Sequence, residues 1–210
     1  MARPSQDHQI RIREILDVAE PLFYAKGYHE TAISDIVKKM GIAKGTFYYY
    51  FKSKQEILET LIKRRISAFM SEVQAIADSA GITSPQKIES VIQAMFRTIR
   101  NNDEGLVFEY LYNDRTLHIL DKISREGIRQ LTPVLLKIIE NGKQQNDFKV
   151  PHPLAAVNVI LAVVDSMFDA IYEKSPDDLL VSQRILAESL IEKALGLPGK
   201  TIHIEENEIA

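Results

Sequence analysis

A chain of 210 residues, 45% apolar and 26% charged, has material for one sizeable core or for a small domain beside a larger one. It contains no cysteine, which excludes disulfides and thiolate metal sites and fits a reducing compartment. The net charge of −3 conceals an asymmetry, because residues 1–65 hold twelve Lys/Arg against eight Asp/Glu and the remainder carries −7; a basic head on an acidic body is suited to a polyanion.

The opening residues, MARPSQDHQIRIRE, lack the apolar stretch of a secretory signal, and no apolar run is expected to reach the length of a membrane span. The expected location is the cytoplasm, with no membrane partner. The first helix is expected over 8–26, where Ile12, Ile15, Leu16, Ala19, Leu22 and Phe23 recur at three- and four-residue spacing. Pro21 lies inside it and should bend it, and Gly27 is a suitable stop. Ile33, Ile36, Val37 and Met40 make a second, two-turn stripe closed by Gly41. The next stretch, GIAKGTFYYYFKSK over 41–54, carries five consecutive rings. On a helix over 43–51, Phe47 and Phe51 share a face and should plug a core of Ile15, Leu22, Ile33 and Ile36. Tyr49 points nearly the opposite way and Tyr48 and Tyr50 flank it, so at least one tyrosine must stand in solvent. A long helix over 54–78 follows, with Ser53 and Glu56 as its capping box.

Helices 32–40 and 43–51, joined by a turn at Gly41, have helix-turn-helix spacing, in which the second helix enters the major groove. Lys44, Gly45 and Thr46 open that helix, where free N–H groups and the positive dipole end favour phosphate. Gly45 lets another surface come close, and Lys44 can donate to guanine O6 or N7. Tyrosine hydroxyls can donate to phosphates. Lys54 puts a cation at the positive end of a helix, which makes sense if a phosphate sits there. An aromatic stripe alone is more economically read as core with hydroxyls at its rim. The helix pair, glycine turn, small-residue helix start, outward rings and lysines together favour nucleic acid.

Farther along, helices are expected at 85–101, 104–113, 116–141, 152–174 and 177–195, with a loop over 142–153 and no strand signals. The helices over 152–174 and 177–195 are apolar over a wide arc, which fits a wider monomer core or one side packed inward and the other against a second copy of the chain; the homodimer is favoured because a two-fold operator needs two heads. Met95, Phe96, Phe108, Tyr112, His118, Met167, Phe168 and Tyr172 are candidates for an adaptable apolar pocket, although core packing explains each of them singly. The polar, acidic tail over 197–210 is expected to be mobile, with Ile202 and Ile204 able to dock. The five histidines are dispersed without metal-ligand spacing, and no phosphate-binding glycine loop or nucleophile elbow occurs. No catalytic residue, metal or cofactor is therefore assigned.

The text ILDVAEPLFYAKGYHETAISDIVKKMGIAKGTFYYYFKSKQEIL closely resembles the DNA-binding region of TetR-family transcriptional regulators. The resemblance implies an all-α, Ω-shaped homodimer. Its parts would be a three-helix DNA-binding domain at 1–52, a helical ligand-binding and dimerisation domain at 53–196 and a polar tail at 197–210. Carried over by position, it implies DNA contacts from Thr31, Ser34, Lys44, Gly45, Thr46, Tyr48, Tyr49, Tyr50 and Lys54. Family members usually repress transcription from a palindromic operator until a small molecule binds the body; the effector is unknown. Two positions depart from the pattern: Ala32 and Ala43 stand where hydroxyl residues often begin the second and third helices. A regulator without an effector is the alternative reading, and a helical enzyme or carrier a weaker one.

Overall fold

The computed structural model describes residues 6–100 and 117–205. Every regular element among them is a helix: α1 (Gln6–Lys26), α2 (Ile33–Met40), α3 (Lys44–Tyr50), α4 (Lys54–Asp78), α5 (Ser84–Arg100), α6 (Leu117–Gln144), α7 (Pro153–Tyr172) and α8 (Asp177–Leu195). The helix expected at 104–113, with the pocket candidates Phe108 and Tyr112, lies outside the described residues, as do the side chains of His118 and Tyr172. The chain divides into two compact units, one with residues up to Ser67 and one with those from Ala68 onward among the described residues. The first unit thus contains the opening of α4 as well as α1–α3.

In the first unit Ile15, Leu16, Ala19 and Phe23 of α1 are buried with Ile36 of α2, Phe47 and Phe51. Ile57, Leu58, Leu61 and Ile62 of α4 are buried as well. Leu22 and Ile33, expected in this core, are only half-buried. Ile15, Ala19 and Phe23, spaced four apart, define the inward line of α1, and Leu22 is displaced from it by about 100°. Gly27 (φ 80°) and Gly41 (φ 66°) both adopt the left-handed conformation that lets a helix end abruptly. At Gly41 the N–H groups of Gly41 and Ile42 return to the carbonyls of Lys38 and Val37, which fixes the turn into α3.

The second unit is built on a core of α5, α6, α7 and α8 side chains joined by Val73 and Ala77 of α4. Gly142 is not the start of a loop but part of α6; a Cβ there would lie 2.4 Å from the Phe148 ring, so the glycine lets that ring pack on helix backbone. Phe148 and Val150 are buried, which makes the connection to α7 part of the core.

Two expectations fail here. Pro153–Ile171 of α7 is, by length and composition, long and apolar enough to cross a membrane, with mean hydropathy 1.9. Only 33% of that stretch is buried within the chain. Ala156, Val157, Ile160, Val164 and Met167 face the core, while Leu154 and Val159 stand in solvent. The tail is also not mobile as far as Glu205. Ile202 and Ile204 are fully buried, and carboxylates hold the backbone around them. Glu192 accepts from the N–H groups of Thr201 (2.6 Å) and Ile202 (3.1 Å), Glu89 from His203 (3.0 Å) and Glu188 from Ile204 (2.8 Å). The strap satisfies its backbone with side chains because it has no neighbouring strand.

Candidate nucleic-acid interface

α3 is held by its apolar edge. Phe47 (0% exposed) and Phe51 (2%) point into the head core, their ring centroids 6.2 Å apart. Helical periodicity then forces the intervening side chains outward. Tyr49 is 73% exposed and Tyr48 46%, while Tyr50 is half-buried. Ala43, Lys44, Gly45 and Thr46 are all exposed at the start of the helix, and no side chain caps it. A Cβ on Gly45 would meet nothing within 4 Å, so the space beside the helix start is open. The face combines a lysine, a hydroxyl, two outward phenols and uncapped N–H groups, and can donate hydrogen bonds to phosphates and base edges. Lys38, Lys39 and Lys52 are exposed on the same unit and add positive charge.

α2 enters the turn without a hydroxyl cap. Ala32 has no acceptor to offer; instead Asp35, three residues on, accepts from the Ala32 N–H at 3.2 Å and from the Lys26 ammonium at 3.0 Å. The Lys26 hydrogen bond and then the Ala32 N–H hold the Asp35 carboxyl below its ordinary value. Ser34, in the first turn of α2, is exposed and free to face a phosphate.

Thr31 and Lys54 are placed differently from the expectation. Thr31 is fully buried, and its hydroxyl donates to the carbonyls of Gly27 (2.8 Å) and Leu22 (3.1 Å), closing the end of α1. Its side chain is thereby withdrawn from any phosphate. The Lys54 ammonium donates to the carbonyls of Tyr28 (2.5 Å), His29 (3.0 Å) and Thr31 (2.9 Å) and lies 4.3 Å above the Tyr28 ring. All three of its protons are committed to the α1–α2 loop. Burial pushes the Lys54 amine down from its ordinary value. The cation at the positive end of α4 is compensated by loop carbonyls. Arg64 and Arg65 complete the fastening of α4 to α1: Arg64 bonds Asp17 (2.6 Å) and Glu20 (2.5 Å), and Arg65 bonds Glu20 (2.7 Å) and Tyr24.

Of the pocket candidates, Phe96 and Met167 are buried, Met95 and Phe168 pack against the same core, and Phe96 meets Phe168 edge to face at 5.0 Å. A cavity of about 420 Å³ lies elsewhere in this unit, lined by Ser79, Thr83, Ser84, Lys87, Asn141 and Asp147 among others, and none of the expected residues borders it.

Residues 15–61 match the family model described as bacterial regulatory proteins, tetR family. The chain is 29% identical over 138 residues to a fatty acid metabolism regulator protein of Bacillus subtilis, covering 65% of this chain and 70% of the relative. It is 30% identical over 119 residues to the HTH-type transcriptional repressor KstR2 of Mycolicibacterium smegmatis, and the match spans only 55% of that protein. A TetR-family transcriptional regulator from Pectobacterium atrosepticum superposes with a TM-score of 0.72 at 18% identity, covering 92% of this chain and 97% of that one. FadR of Bacillus subtilis in complex with stearoyl-CoA gives a TM-score of 0.60 at 24% identity, covering 91% and 99%. At these identities the structural likeness establishes the fold.

Proposed function

From its membership of the tetR family of bacterial regulatory proteins, we propose that this DNA-binding transcriptional regulator is a homodimeric repressor, released from a palindromic operator by a small molecule. The observation that carries the DNA-binding part is the division of α3: Phe47 and Phe51 are sealed in the core while Lys44–Thr46, Tyr48 and Tyr49 face solvent. That face would enter the major groove, with Ser34 and the exposed lysines on flanking phosphates.

Dimerisation is supported by the apolar surface that α7 and α8 leave uncovered. Leu154, Val159, Leu179, Val181, Ile185, Leu186 and Leu190 are each at least 39% exposed. So many large apolar side chains left exposed on two helices suit an interface, and two copies joined there would present two recognition helices to a two-fold site. The DNA-binding part would lie within 1–52 and the effector and dimer functions within 53–196.

For the effector, the relatives are the guide to its class, since Met95, Phe96, Met167 and Phe168 pack in the body core and do not border the cavity of about 420 Å³. The relative named for fatty acid metabolism and the fold neighbour solved with stearoyl-CoA make a long-chain acyl thioester the first to try. Stearoyl-CoA should weaken operator binding by about 5–150-fold, a coupling of roughly 1–3 kcal/mol. Tight thioester binding that leaves operator affinity unchanged contradicts release by this class of molecule.

A further inference from the structure

The head carries one ring that the helix-turn-helix reading leaves unused. His8 stands in the first turn of α1, and its imidazole lies 5.0 Å from the Tyr50 ring, tilted, and 5.8 Å from the Tyr49 ring, edge-on. The two tyrosine rings meet edge to face at 4.9 Å. Three rings thus form one cluster that ties the start of α1 to the solvent face of α3.

Tyr49 is 73% exposed, so little else restricts its rotamer. The Nδ1 atom of His8 is buried and has no hydrogen-bond partner among the described residues. An orphaned buried N–H is the costlier state, which favours the tautomer with its proton on Nε2. A polar ring kept in place despite an unmet nitrogen is held for its shape and not for a hydrogen bond.

We infer that His8 is a positioning residue, which fixes Tyr49 through the three-ring cluster in the orientation that reads the operator. The inference rests on the DNA-binding reading above. A fixed tyrosine matters for base edges and groove shape, whereas binding to random DNA is driven by phosphate charge and tolerates a loose ring. His8 therefore acts on specificity more than on affinity in general.

The test is a double-mutant cycle in the full chain, using an operator selected from random DNA and a scrambled duplex at one salt concentration. His8→Ala should weaken operator binding about fivefold, the size of an aromatic contact, and leave the scrambled duplex within about twofold of wild type. In a Tyr49→Ala background the same change should have no further effect. His8→Phe, which keeps a ring and loses both nitrogens, should restore operator binding, and His8→Gln, which keeps an N–H and loses the ring, should behave like alanine. Equal losses with and without Tyr49, equal losses on both duplexes, or rescue by glutamine and not phenylalanine would overturn the inference. The phenylalanine and glutamine variants decide the matter even if the alanine variant does not fold. A wild type that selects no DNA sinks the DNA-binding reading and this inference together, whereas additive losses in a DNA-binding wild type sink this inference alone.

Discussion

Lys54 illustrates how far a single side chain can be read from its neighbours in sequence. A lysine opening a helix after a run of rings suggests a phosphate grip, yet its partners are carbonyls 23 to 26 residues earlier, brought near only by the folded loop. Lys54→Met should lower stability to urea by about 1–3 kcal/mol, because three loop carbonyls lose a charged donor. The salt dependence of DNA affinity should keep its wild-type slope; a slope shallower by about one unit would place Lys54 on a phosphate after all. Asp35 is the opposite case, in which the missing hydroxyl at Ala32 was legible but its replacement was not. Its folded carboxyl titrates below the ordinary value of 3.8, so its stabilising contribution is present above that value and is lost as pH falls through the lower folded one. The stability gap between wild type and Asp35→Asn should therefore be constant above about pH 5 and close as the pH is lowered below about 4. A gap that widens on acidification contradicts the cap.

At the scale of elements, periodicity was a good guide where one face meets one core. The Phe47 and Phe51 pair, the glycine stops at 27 and 41, and the outward tyrosines follow from spacing alone. The tail shows where that logic ends. Its composition is polar and acidic, and nothing local reveals that Glu89, Glu188 and Glu192 would supply acceptors to its backbone. Once those acceptors are in place, Ile202 and Ile204 can be buried without stranding their N–H groups. Truncation after Gly199 should cost roughly 3–6 kcal/mol, from two isoleucines at about 1.5–3 kcal/mol each. Thermal unfolding checks this, and a truncated chain as stable as wild type shows the strap to be ornamental. The span-length apolarity of α7 is masked locally in a similar way: Asn158, Asp165, Ser166 and Asp169 interrupt the apolar residues without breaking the overall hydropathy of the stretch.

For the whole molecule, the proposed homodimer would use the uncovered apolar faces of α7 and α8 to join two chains and the solvent face of each α3 to read DNA. Leu186 is 58% exposed, so Leu186→Glu should leave the single chain folded while separating a dimer. Sedimentation should then show a monomer, and operator affinity should fall on the order of a hundredfold or more, since each head would bind without its twin. A dimer that persists unchanged moves the interface to another surface. The most direct measurement is selection of bound fragments from a random DNA pool by the full chain at fixed salt. An inverted-repeat consensus is predicted, with half-sites centred about 34 Å apart or a multiple of it and with enrichment weakened by Tyr49→Ala. Enrichment of no sequence, or of a single half-site with no repeat, contradicts it.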